Sequence, residues 1–297
     1  MIVISPEEYE SFSKSLDLAS KYLNNYRLQE TASLVRGLSL RQFHITPNVE
    51  TAKLAQSCIN SFDMEWGKEP YRKKVEVSLQ NGFGRKVSVN AAKDQDKWKA
   101  HLSSLISVFE ARKDALTIIN DIYRALDQTR NVSDKILLTS FFYLVTFEGD
   151  FDQSLRVLYL LLKEADEPLS FSHARSKSVK ELKDEVSAII GKENLETLFE
   201  GYSSNLRNSI AHANFRYDIQ TKQITFEDYW PSTGEPSCEP ITMSMNDLIW
   251  HHIDKLQSVS LYISFFFFRM LIMRIFLANL NSVQLKEFEG SLGLNLK

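Results

Sequence analysis

Residues 201–215 read Gly201-Tyr-Ser-Ser-Asn-Leu-Arg-Asn-Ser-Ile-Ala-His-Ala-Asn-Phe215, with Arg207-Asn208-Ser209-Ile210-Ala211-His212 inside them. The stretch has the spacing of an amphipathic helix near its end. On such a helix Asn208 and His212 are four apart and share a face. Arg207 lies five before His212, about 140° round the axis, but its long side chain can swing to the same solvent pocket. A guanidinium offers a planar fork of donors that matches a phosphate. Imidazole is the side chain best placed to move protons near neutral pH. Asn208 can orient the imidazole or hold a ribose or phosphate oxygen. Together the three groups form an anion site with a titrating base beside it. Such a set suits RNA cleavage without a metal: a base takes the 2′-hydroxyl proton, a cation stabilises the phosphorane, and a proton goes to the leaving 5′-oxygen.

Outward from this motif the chain is mostly helical in pattern. Apolar residues recur at helical spacing over 6–36, 50–62, 96–128, 132–147, 152–164, 177–190, 193–214 and 245–281. Glu148-Gly149-Asp150 divides the apolar pair 132–147 and 152–164, and Gly191 divides the next pair. Two stretches change period. Val75, Val77, Val87 and Val89 alternate with polar residues on either side of Gln80-Asn-Gly-Phe-Gly84, a hairpin signal. Phe215–Phe226 reads as a second hairpin around Thr221-Lys222, followed by a loop with Pro231, Gly234, Pro236 and Pro240. The expected fold is mainly α, a helical bundle with two small β-hairpin insertions. A boundary near residue 93 would separate an N-terminal helical region, 1–93, from a helical bundle, 94–297.

Composition narrows the function classes. The 297 residues carry a net charge of −3, so a global basic field for nucleic acid is missing and RNA would need a local patch. Ten Gly and seven Pro are too few for an all-β fold with many turns. Cys58 and Cys238 make neither a disulfide framework nor a zinc spacing, which points to a reducing, cytoplasmic setting. The opening Met1-Ile-Val-Ile-Ser-Pro lacks a basic segment followed by a long apolar core, so no secretory signal is expected. Residues 258–280 have the length of a membrane span. Arg269 and Arg274 sit inside them, each costing about 2.5–3.5 kcal/mol near the bilayer centre. A core or subunit-interface helix is therefore the expectation, with a membrane-anchored helical protein as the competing one.

The motif resembles the signature of the HEPN superfamily, higher eukaryotes and prokaryotes nucleotide-binding domains. These are helical bundles carrying Arg-x4–6-His, often opening Arg-Asn, near the end of the third core helix. Arg207, Asn208 and His212 match that pattern with a spacing of four. The surroundings match too: an apolar helix pair upstream, a β-like insertion downstream and a final long helix, over roughly residues 96–283. The resemblance implies a metal-independent endoribonuclease of toxin–antitoxin, abortive-infection or other antiviral defence. It also implies a homodimer in which two motifs face one cleft, with RNA as substrate, a protein inhibitor (antitoxin) as a candidate partner and no cofactor. The alternative it allows is a non-catalytic module that binds a nucleotide, RNA or a partner protein.

Other residues are weaker candidates. Tyr202 and Ser203, one turn before Arg207, are expected at the rim of an RNA site. Glu148 is expected to line the cleft, whereas Asp150 or Asp152 fits a helix N-cap. Arg175 and Lys177, in His173-Ala-Arg-Ser-Lys-Ser-Val-Lys180, form a basic stretch able to track an RNA backbone. Adjacent His251 and His252 diverge by about 100° on a helix and chelate poorly. No metal site is expected. Arg207 also has a bland reading: it pairs with a carboxylate while His212 and Asn214 end the helix.

Overall fold

The computed structural model describes residues 66, 69–81, 112, 114–163, 171–229 and 233–263. Helix α1, Pro70–Leu79, opens with Pro at its first position, where the missing N–H costs nothing. Helix α2 covers residues 114–128. Helix α3, Val132–Leu144, starts at Asn131, whose side chain accepts from the backbone of Ser133. It runs without a break through a π turn, Val145–Phe151, into α4, Asp152–Leu162. Then come α5, Phe171–Arg175, α6, Val179–Ile190, α7, Lys192–Leu198, and α8, Ser204–Ala211. A three-stranded antiparallel sheet follows, in the order β1 (Phe215–Asp218), β2 (Gln223–Phe226), β3 (Ile241–Ser244). The last helix among the described residues begins with a Ser244–Asp247 capping box over α9, Met245–Asp247. It passes through a second π segment, Leu248–Ile253, and continues as α10, residues 254–263.

Helix α4 is the centre of the bundle. Every residue from Leu155 to Leu162 is buried, so no side of it faces water, as expected of a helix apolar nearly all round. One apolar cluster joins it to Leu116 and Ile119 of α2, Phe142 of α3, Leu182 and Val186 of α6, Leu195 of α7, Leu206 and Ile210 of α8, and Leu256 of α10. The sheet buries one face. Ile224, Phe226 and Met243 point inward, and Arg216, Asp218, Gln223 and Thr242 point out, the two-residue alternation of a half-buried sheet. Register pairs Phe215 with Phe226 and Ile224 with Met243.

Four expectations change. Lys74–Ser78 is helix and not the first arm of a hairpin: Val75 and Leu79, four apart, are buried while Val77 is exposed. Two valines spaced by two fit either period. The helix prevails because Tyr71 donates to the Thr197 carbonyl and Gln80 to the Tyr262 hydroxyl, tying α1 to α7 and α10. Gly149-Asp150 does not divide two helices but lies within the π turn. Residues 193–214 are two helices, not one, with a turn at Phe199–Ser203. The stretch before 245 also holds a strand, β3, that pairs with β2. The second hairpin forms as read, with Asp218 accepting from Gln220 and Thr221 in its turn. Residues 6–36, 50–62, 86–90, 96–111, the boundary near 93 and 264–281 lie outside the described residues. Among those described, no helix is long and apolar enough to cross a membrane, and residues 258–263 are buried.

Candidate functional site

Helix α8 is aimed by the turn that precedes it. Gly201 lies against α10 so closely that a Cβ there would stand 2.7 Å from the His252 carbonyl and 2.9 Å from Lys255 Cβ. His252 Nδ1 donates to the Gly201 carbonyl at 3.0 Å. That ring is mostly buried, and burial lowers its pKa. The buried Tyr143 hydroxyl donates to the Ser203 carbonyl and accepts from the Ser203 N–H, both at 3.2 Å. Ser203 itself is the N-cap, its hydroxyl accepting from the Leu206 N–H. Leu206, Ser209 and Ile210 then face the core, which turns Arg207 and Asn208 to a half-buried flank. At the other end Asn214 N–H reaches the Ser209 carbonyl at 2.7 Å and Ala213 N–H the Ile210 carbonyl at 3.0 Å. Ala213 takes φ 56° to make this cap. His212 is the C-cap, directly after the last helical residue Ala211, and it is exposed.

Arg207 is the hub of a four-residue polar chain. Its Nε and Nη2 both donate to Glu148 Oε1, at 2.8 and 2.6 Å. Its Nη1 donates to Asn208 Oδ1 at 3.1 Å, and Asn208 Nδ2 donates to Asp228 Oδ2 at 3.2 Å. The two ends differ in access to water. The Glu148 and Arg207 side chains are 50% and 40% exposed, whereas Asp228 is 8% exposed.

The two acidic residues of the π turn and the first residue of α4 go to three different arginines. Glu148 meets Arg207. Asp150, fully buried, meets the equally buried Arg112, whose Nε donates to Asp150 Oδ1 at 2.8 Å. Asp152 meets Arg156 two-fold, at 2.9 Å from both Nε and Nη2. Burial raises the Asp152 pKa, and the Arg156 hydrogen bonds oppose that. Neither Asp150 nor Asp152 is an N-cap, contrary to expectation. A π turn has no free first-turn N–H groups for them to hold, and each carboxylate finds a buried cation instead. Among the described residues no cluster of His, Cys, Asp or Glu could hold a metal ion.

The structure thus brings Arg207, Asn208 and Glu148 together. His212 follows one turn later, its backbone N–H bonded to the Asn208 carbonyl. The Asn208 amide turns to Asp228 rather than to the imidazole. Tyr202 stacks on Phe147 of the π turn, with ring centroids 5.0 Å apart, and is half-buried beside Arg207. Ser203 is occupied as a cap. Lys177 pairs with Glu185, which Lys163 and Lys177 together hold far below the usual carboxylate range. Arg175 is exposed at the end of α5. Neither makes a described contact with Arg207. Asp228 was not among the sequence candidates. Its only signal is position: a hairpin returning from Phe226 must bring the next residues back past Asn214, and Glu227 N–H does bond the Asn214 carbonyl.

A helical bundle with Arg207-Asn208 and His212 at the end of one helix, and a small sheet directly after it, is the arrangement the sequence motif called for. A search against protein families agrees: the HEPN pEK499 p136 family matches residues 113–262, half of the chain. The chain belongs to the HEPN pEK499 p136 family. The matched HEPN region takes in the π turn, α8, the sheet and α10, and so every member of the Glu148–Arg207–Asn208–Asp228 chain. No curated protein and no solved structure matches the sequence.

Proposed function

We propose that this HEPN protein is a metal-independent endoribonuclease acting at a composite site between two copies of the chain, and that it serves as a toxin or antiviral defence effector in the cytoplasm. One observation carries the reading. The Nε/Nη2 edge of Arg207 holds an oxyanion, the half-exposed Glu148 carboxylate, and the exposed His212 imidazole ends the same helix. A phosphodiester oxygen presents the same acceptor to the same fork. In the reaction an imidazole accepts the 2′-hydroxyl proton, the 2′-oxygen bonds to phosphorus, and the P–O5′ bond breaks. An imidazolium protonates the 5′-oxygen, leaving a 2′,3′-cyclic phosphate. Arg207 neutralises the phosphorane. In an in-line displacement the attacking 2′-oxygen and the leaving 5′-oxygen lie on opposite sides of phosphorus, so one imidazole does not reach both, which is why a second copy of the chain is invoked. Tyr202 and Ser203, with Arg175 and Lys177 further off, would carry the flanking RNA.

His212→Ala and Arg207→Ala are each expected to abolish cleavage of an RNA panel without loss of helical circular dichroism. Wild-type products should end in a cyclic phosphate, and EDTA should leave the rate unchanged. Cleavage that survives in purified His212→Ala would refute the assignment. Induced expression should arrest growth only with His212 intact. A second reading draws on the Asn208 amide being turned away from the imidazole. In it the fork anchors a nucleotide or RNA phosphate without reaction, and binding without turnover is the result that would favour it.

A further inference from the structure

Asp228 lies two residues beyond β2, 8% exposed, and is fixed by its main chain: its carbonyl accepts from Ser237 N–H at 2.8 Å. A buried carboxylate is costly unless hydrogen-bonded. The side-chain bond it makes is to the Asn208 amide. That amide has one allowed orientation. A guanidinium has only donors and a carboxylate only acceptors, so Asn208 satisfies both neighbours only with Oδ1 toward Arg207 and Nδ2 toward Asp228. With an apolar residue at 228 the amide is free to turn over and present its NH2 to the guanidinium, where it repels.

We infer that Asp228 is a positioning residue for Arg207, acting through the Asn208 amide. It holds Nη1 from the protein side and leaves the Nε/Nη2 edge turned to the place where Glu148 sits. The division of labour follows from access to water. Glu148 is half-exposed and exchangeable for a substrate phosphate, while Asp228 is enclosed and stays. The inference rests on Arg207 being the anion fork proposed above, and it adds the residue that aims the fork.

The test uses the full chain in four forms: Asp228→Leu, Asp228→Asn, Asn208→Asp, and the swap Asn208→Asp with Asp228→Asn. The readouts are the NMR signal of the Arg207 Nε–H, assigned by its loss in Arg207→Lys, and kcat and KM for RNA cleavage. Asp228→Leu should move the Arg207 signal toward that of a solvated guanidinium and lower kcat about a hundredfold, the scale of a misplaced reacting group. Asp228→Asn keeps an acceptor for the amide and should retain most of both. Asn208→Asp sets two carboxylates face to face and should lose both. The swap restores one acceptor for Arg207 and one donor between 208 and 228, so it should recover the signal and the rate. A swap no better than Asn208→Asp alone, or an Arg207 signal unmoved in Asp228→Leu, overturns the inference. If Asp228→Leu does not fold, the swap against Asn208→Asp decides. If wild type does not cleave RNA, the ribonuclease proposal fails by itself, and the Arg207 signal still decides the role of Asp228.

Discussion

Arg207 and Arg112 make the same kind of contact in opposite surroundings, and their carboxylates should respond in opposite ways to mutation. The Glu148–Arg207 pair is half-exposed, where an ion pair adds about 0–1 kcal/mol. Glu148→Gln should therefore unfold within about 1 kcal/mol of wild type in urea. It should also bind a short single-stranded RNA more tightly in fluorescence anisotropy, because a competing anion has left the fork. The Asp150–Arg112 pair is sealed. Asp150→Ala strips a buried guanidinium of its carboxylate, and a loss of about 3–5 kcal/mol is expected in the same urea experiment. The sequence shows three acids at 148, 150 and 152, and only the pairing of Asp152 with Arg156, four residues on along one helix, is legible in it. Sorting the other two requires the directions from which Arg207 and Arg112 arrive, and these come from distant stretches of chain.

At the scale of elements, α8 is held by its preceding turn. Gly201→Ala forces a methyl against the His252 carbonyl and Lys255, and overpacking of this kind costs about 1–3 kcal/mol. A lower thermal midpoint and a disturbed Arg207 are expected together, since the turn aims the helix. His252 gives the same junction a pH dependence. Burial depresses its pKa below the 6.5 of an exposed ring. Its contribution to stability is thus complete above about 6.5 and is lost as pH falls through the lower, folded value. Denaturation from pH 7.5 to 5 should show falling stability, with a shallower slope in His252→Gln. The helical text over 132–162 was legible because its apolar density is high on every side. The π turn inside it was not, since Gly149-Asp150 reads as a helix break. In the fold Gly149 is instead a contact point, where a Cβ would meet Ala115 Cβ at 2.5 Å. Lys74–Ser78 failed for a related reason: a short run has too few residues to distinguish a period of 2 from one of 3.6.

For the whole molecule, the proposed composite site predicts an activity that depends on association. Cleavage per chain should fall on dilution through the dimer dissociation range measured by analytical ultracentrifugation, and a rate per chain independent of concentration would argue for a site complete in one copy. Trp66 and helix α1, the latter through Val75 and Leu79, pack on the same core as the matched HEPN region. Residues ahead of the family match therefore contribute to the fold around the site.

The sequence by itself determined the class of fold, the second hairpin and the placing of Arg207, Asn208 and His212 along one helix and its C-cap. These are local properties, set by apolar spacing and by turn residues a few positions apart. Only the tertiary structure decided which groups those side chains meet. Arg207 and Glu148 are 59 positions apart, and Asn208 and Asp228 are 20 apart across a sheet. Contacts at that range depend on how α3, α8 and the sheet pack, and long side chains take whichever partner the packing leaves within reach.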